Sequence, residues 1–197
     1  MAKVGATAAT FAVSRDGALL CSRGLGFRDC GRIAPTPPDA LFRIASITKP
    51  LTAAAVRSAA ARGLLDLDAK AFALIGVTGP RGRAPADPRV AEITVRHLLE
   101  HRAGWDRAVT FDPVFRVAEA GRELQIDRDP TPRDLIAWML TKPLQSAPGE
   151  RAAYSNFGYC VLGRVLEQAT GERSYYAALQ KLVLRPAQIA DVKLARS

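Results

Sequence analysis

Residues 41–49 read LFRIASITK, and this stretch decides how the rest of the chain is interpreted. It leads into Pro50 and an alanine-rich segment that runs as far as Gly63. Alanine has the highest helix propensity and glycine is common just past a helix end, so the segment is predicted to be a helix that stops at Gly63. Proline is tolerated in a first turn, where backbone N–H groups have no helical partner. The helix is therefore predicted to begin close to Ser46.

The length and composition are those of an ordinary folded domain. The chain has 197 residues, of which 48% are hydrophobic and 24% charged, so a buried core is expected and intrinsic disorder is excluded. No stretch approaches the roughly 18 consecutive apolar residues of a membrane helix, so no membrane span is expected. The N-terminus lacks the leucine-rich core of a signal peptide. As written, the chain is expected in the cytoplasm, and in the periplasm or secreted if its N-terminus is incomplete.

The charge is strongly basic, with 28 basic residues against 19 acidic residues and a net charge of +9. The basic side chains are scattered, and the densest run is Arg81-Gly82-Arg83. No motif that reads a nucleic-acid groove accompanies them. We therefore expect no nucleic-acid partner.

Local signals indicate a hairpin followed by helices. Residues 7–28 read as two strands around the turn signal Asp16-Gly17. Residues 76–90 read as a surface loop, and residues 105–130 carry no clear pattern. Helices are predicted over residues 95–101, from Thr131-Pro132 onward, and over residues 156–170 and 175–184. This order predicts an α+β fold.

Two short motifs carry the candidate chemistry. In Ser46-x-x-Lys49, residues three apart share a helix face, so the lysine ammonium can reach the serine hydroxyl. A serine hydroxyl becomes a useful nucleophile when an adjacent base takes its proton. In Tyr154-Ser155-Asn156, a phenol beside a cationic lysine can pass a proton to a leaving group. Asn156, the only asparagine in the sequence, can either contact a substrate amide or orient the lysine.

Three stretches together resemble the serine β-lactamase and penicillin-binding-protein superfamily, and most closely its class C β-lactamase and esterase branch. Residues 41–49 are similar to the nucleophile segment of that branch. Residues 95–105 are similar to its R-H-L-L-x-H-x-S-G stretch, and residues 147–159 to its P-G…Y-S-N-x-G-Y segment. The resemblance covers nearly the whole chain. It implies a β-lactamase/DD-peptidase-like fold, with the N-terminal hairpin of an antiparallel sheet beside a helical region.

The resemblance also implies roles for the motif residues. Ser46 would be the acylated nucleophile, Lys49 and Tyr154 the proton-transfer pair, and Asn156 a substrate contact. Whether Lys49 or the second-motif residue takes the first proton stays open. The function implied is a serine hydrolase that acts through an acyl-enzyme on a β-lactam, a D-Ala-D-Ala-type peptide or a small ester. A small-molecule or peptide acyl substrate is expected, and no cofactor.

The chain departs from the family pattern at two points. Ala103 stands where the family usually has serine. The third family motif, a lysine or histidine followed by serine or threonine and glycine, does not occur in the sequence. In the resembled family this motif lies on a later strand of the sheet, so its absence predicts a single partial domain over residues 1–197, with the C-terminal strands missing or supplied by a complementing chain. The resemblance implies that the missing strand supplies the second oxyanion donor of the site. Loss of such a donor typically costs about 100- to 1000-fold in rate, so a catalytically impaired remnant is the alternative function.

A competing motif is His97-x-x-Glu100-His101, which matches a zinc-peptidase signature. Two histidines four apart on a helix share a face, and Glu167 or Glu172 could complete the site. The predicted helix is short, and the resembled family carries both histidines for structural reasons. A zinc metallopeptidase that uses His97 and His101 is therefore the distant alternative, and no metal site is expected.

Overall fold

The computed structural model describes residues 5–195, and they form two compact units. Residues 5–44 form a hairpin unit, and residues 45–195 form a helical unit. The α+β character predicted from the order of elements is confirmed. Within the described residues, none of the helices has the length and apolar character needed to cross a bilayer.

The hairpin unit is built on two antiparallel strands, β1 (Ala8–Arg15) and β2 (Ala18–Gly26). Asp16 and Gly17 both have positive φ, at 51° and 79°, which matches the right-handed strand twist in a two-residue hairpin turn. A bulge between Val13 and Ser14 shifts the register next to this turn. The hairpin predicted over residues 7–28 is confirmed.

The helical unit begins with a 3₁₀ turn, Ala45–Ile47, that runs directly into α1 (Thr48–Ala61). Pro50 falls in the first turn of α1, as the sequence predicts. Gly63 has a φ of 69° just beyond the last turn and ends the helix. Both predicted bounds of this helix are confirmed to within two residues.

Helix α6 (Asn156–Thr170) lies at the centre of the helical unit. It packs against α1 and against four further helices, which are α2 (Ala71–Ile75), α3 (Val95–Leu99), α5 (Pro132–Met139) and α7 (Tyr175–Leu179). Seven of its side chains or glycines are buried. The first residues of α6 are therefore held against α1 by the core itself.

The structure differs from the sequence prediction in several helices. Helices α2 and α4 (Val117–Leu124) were not predicted, because five and eight residues are too few for a clear apolar period. Helix α3 ends at Leu99 instead of residue 101. Beyond α7, the predicted helix continues as a π-helical turn, Gln180–Leu184.

Residues 76–90 are not simply a surface loop, which corrects the prediction. Proline-initiated 3₁₀ turns occupy Pro80–Gly82 and Pro88–Glu92. The Asp87 carboxylate is buried, and it accepts hydrogen bonds from the backbone N–H groups of Arg89 (3.0 Å) and Leu144 (3.0 Å). It also accepts two bonds from the Arg89 guanidinium, at 3.0 and 2.7 Å. The segment is thereby anchored to the chain that follows α5.

The Asp87 network predicts acid-sensitive stability. The Arg89 guanidinium, ahead of the backbone N–H donors, holds the pKa of the Asp87 carboxyl well below its usual range. Since the unfolded aspartate titrates at about pH 4, this contribution to stability is complete above that pH and is lost as the pH falls below it. Asp87→Asn should lower the free energy of unfolding by about 1–3 kcal/mol at neutral pH, measured by urea denaturation. A wild-type-to-variant difference that stays constant or grows on acidification would contradict this.

Candidate active site

Ser46 lies in the 3₁₀ turn ahead of α1, and Lys49 is the second residue of that helix. The residue before Ser46, Ala45, has a φ of 43°, a left-handed conformation that costs an L-residue roughly 1 kcal/mol or more. From its position one turn along, the Lys49 ammonium donates to Ser46 Oγ at 3.3 Å. The predicted pairing of this serine and lysine is therefore present.

Tyr154 and Asn156 reach the same place from the start of α6. Ser155 caps that helix, because its Oγ accepts from the Gly158 N–H at 3.0 Å. The Tyr154 hydroxyl lies 2.6 Å from Ser46 Oγ, and Asn156 Oδ1 accepts a hydrogen bond from the Lys49 ammonium. The structure thus brings together all four residues that the sequence predicts for the site.

Two cations lie near the Tyr154 ring. Lys49 Nζ is 4.7 Å from the ring centroid, and the Arg107 guanidinium carbon is 4.6 Å from it. The Lys49 ammonium, followed by the Ser46 hydroxyl and with a smaller contribution from Arg107, lowers the pKa of the Tyr154 phenol. Tyr154 is 38% exposed, so a dissolved molecule can reach it. Tyr154 is therefore an accessible phenol that ionises more readily than that of a free tyrosine.

The His101 ring packs against the Tyr154 ring. It lies 4.8 Å from the Tyr154 ring and 4.9 Å from the Tyr159 ring, between centroids. Its Nδ1 accepts a hydrogen bond from the backbone N–H of Ser155 at 3.1 Å. Burial, and then the nearby Lys49 charge, lower the pKa of His101. A neutral imidazole that accepts at Nδ1 thus fixes the backbone between Tyr154 and Asn156.

The zinc alternative fits the structure poorly. His101 lies beyond the end of α3 with a φ of 57°, so the two histidines do not share one helix face. His97 Nδ1 accepts from the Thr94 N–H and completes the cap of α3. The carboxylates considered as third ligands form ion pairs, Glu167 with Arg164 at 2.7 Å and Glu172 with Lys181 at 3.0 Å. Between residues 5 and 195, no group of three or more metal-ligating side chains is assembled.

Sequence reasoning missed two residues of the site, Arg107 and Asp112. Asp112 accepts from Asn156 Nδ2 at 2.6 Å and lies 3.6 Å from the Arg107 guanidinium. Both residues belong to the stretch without a clear pattern. The available signal was the dipeptide Asp112-Pro113, which starts a 3₁₀ turn, Pro113–Phe115, in the same way that Asp87-Pro88 starts another.

The family model described as Beta-lactamase matches residues 1–197 of the chain. The chain belongs to this family. Esterase EstB of Burkholderia gladioli is 37% identical over 193 residues, which cover 91% of this chain and 45% of the esterase. The resemblance to this family in the sequence motifs is thereby confirmed.

Solved structures agree with the family assignment. The octameric penicillin-binding protein homologue from Pyrococcus abyssi superposes with a TM-score of 0.74 at 28% identity, over 95% of this chain and 40% of that one. A D-stereospecific amidohydrolase from Streptomyces superposes with a TM-score of 0.65 at 29% identity, over 93% of this chain and 50% of that one. The predicted β-lactamase/DD-peptidase-like fold is confirmed. The chain spans between a third and a half of the length of the curated relatives it matches.

Lys49→Met should raise the pKa of Tyr154, because the variant removes the cation that stabilises the phenolate. The four tyrosines can be followed by ultraviolet difference absorbance during a pH titration. In the wild type, one phenol should ionise below the range of free tyrosine, and this early step should move to higher pH in the variant. Lys142→Met is the matched control, because the Lys142 ammonium contacts Glu123 and Trp138 instead. An early step that persists unchanged in Lys49→Met would contradict the assignment.

Proposed function

We propose that the protein is a serine hydrolase that forms an acyl-enzyme at Ser46. The observation that supports this most directly is the contact of one serine hydroxyl with a phenol at 2.6 Å and an ammonium at 3.3 Å. A hydroxyl placed beside a proton acceptor and a cation is the arrangement that nucleophilic catalysis requires. Family membership supports the same reaction class.

In the proposed reaction, Tyr154 takes the first proton. Its hydroxyl is closer to Ser46 Oγ than the lysine nitrogen is, and the pKa of its phenol is lowered by the Lys49 ammonium. With Tyr154 as the phenolate, Ser46 Oγ bonds to the substrate carbonyl carbon as the serine proton moves to the phenolate oxygen. The tetrahedral species then expels the alcohol or amine, which takes the proton from Tyr154 as it leaves.

Water completes the cycle by the same route. The Tyr154 phenolate removes a proton from the water as the water oxygen bonds to the acyl carbon. Collapse of the second tetrahedral species breaks the bond to Ser46 Oγ, which recovers its proton from Tyr154. Lys49 remains an ammonium throughout, held by Asn156 Oδ1, and so stabilises the phenolate in each step.

We propose esters and amides as the substrate class, from small esters to β-lactams and D-Ala-D-Ala-type peptides. The name of the Burkholderia relative states that it is an esterase, and the Streptomyces structure is described as a D-stereospecific amidohydrolase. Both reactions release an alcohol or amine from an acyl group. Tyr154 is partly exposed, so an acyl substrate can reach it from solvent.

Ser46→Ala tests this proposal. The wild-type chain should react with a fluorophosphonate probe and hydrolyse a p-nitrophenyl ester, and the variant should lose labelling and about 1000-fold or more of the hydrolysis. Ser14→Ala is the matched control, because Ser14 lies exposed on β1. Folded wild-type protein without labelling would contradict the proposal. Activity that survives Ser46→Ala and is lost to a chelator would indicate the zinc alternative.

A further inference from the structure

Asp112 is an almost fully buried carboxylate next to the site, with a side chain only 9% exposed. Its Oδ1 accepts from the Val114 N–H at 3.3 Å and caps the turn Pro113–Phe115. Its Oδ2 accepts from Asn156 Nδ2 at 2.6 Å and lies 3.6 Å from the Arg107 guanidinium. The two carboxylate oxygens therefore have different partners, one structural and one in the site.

The bond to Asp112 determines which way the Asn156 amide points. An ionised carboxylate only accepts hydrogen bonds, so the group of Asn156 that faces it must be the NH₂ group. The other end of the amide, Oδ1, then faces the Lys49 ammonium, which only donates. In the reversed orientation, the NH₂ group would meet the ammonium and the oxygen would meet the carboxylate. Both contacts would be repulsive.

We propose that Asp112 is a positioning residue, which holds the Asn156 amide so that its oxygen binds the Lys49 ammonium. This inference rests on the proposed function, in which that ammonium stabilises the Tyr154 phenolate. Asp112 also lies beside Arg107, the second cation at the Tyr154 ring. The Asp112 carboxylate is thus linked to both cations near the phenol: it lies beside Arg107 directly, and it reaches Lys49 through Asn156.

The variant Asp112→Ser separates the contact of Asp112 with Asn156 from its capping of the turn Pro113–Phe115. Serine is as good an N-cap as aspartate, so the turn keeps its first hydrogen bond, but the shorter side chain removes the contact with Asn156. Asp87→Ser is the matched control. Asp87 likewise precedes a proline, caps a 3₁₀ turn with its carboxylate and pairs with an arginine, but its partners are Arg89 and Leu144.

The spectroscopic readout does not require turnover. Since Asn156 is the only asparagine, labelling with ¹⁵N-asparagine gives a single side-chain NH₂ pair. In the wild type, the proton bonded to Asp112 should be shifted downfield, and this shift should disappear in Asp112→Ser and persist in Asp87→Ser. Loss of a hydrogen bond to a charged group should also lower kcat for a p-nitrophenyl ester about 10- to 100-fold, with KM little changed.

Each outcome decides the inference. A downfield shift that persists in Asp112→Ser overturns it, and so does loss of the shift with an unchanged kcat. If Asp112→Ser does not fold, Asp112→Asn keeps the size of the side chain; with its oxygen on the Val114 N–H, it turns an NH₂ group toward Asn156 and should show the same loss of kcat. If the wild-type chain shows no Ser46-dependent hydrolysis, the proposed function is contradicted instead. The chemical shift of the Asn156 amide then still shows whether Asp112 orients Asn156.

Discussion

The hydrogen bond from the Lys49 ammonium to Asn156 Oδ1 is the interaction on which the rest of the site depends. It joins the first turn of α1 to the first residue of α6, and it leaves the same ammonium able to contact Ser46. A partly buried ammonium needs an acceptor, because an unpaired charge away from water is costly. The asparagine oxygen supplies that acceptor without adding a negative charge beside the phenol of Tyr154.

The core makes this bond possible. Helix α6 packs against five other helices, so its N-terminus has little freedom to move relative to α1. Two hydroxyl contacts tie α1 to the end of the helical unit, from Thr52 to the Tyr175 hydroxyl at 2.8 Å and from Ser58 to the Leu182 carbonyl at 3.1 Å. Sites held by packed helices are positioned more accurately than sites on loops. The strained Ala45 next to Ser46 is retained within this rigid frame.

Much of the fold and of the candidate site could be predicted from local sequence signals. The dipeptide Asp16-Gly17 predicted the hairpin turn and Gly63 predicted the end of α1, because glycine adopts positive φ at little cost. The four motif residues were found because their spacing matches chemistry. Asp112 was not, because its contact with Asn156 joins residues 44 positions apart in a stretch without periodicity. Only the packed structure shows which oxygen meets which donor.

The proposed reaction requires that Tyr154 takes the proton of Ser46. The most direct measurement is the rate of Ser46 acylation by a p-nitrophenyl ester, followed by quenched intact mass and peptide mapping, in wild type and Tyr154→Phe. We expect one acyl group on Ser46 in the wild type and an acylation rate about 100- to 10,000-fold lower in Tyr154→Phe, at an unchanged unfolding midpoint. Acylation of Tyr154→Phe at the wild-type rate, or an acyl group on another residue, would contradict the proposed reaction.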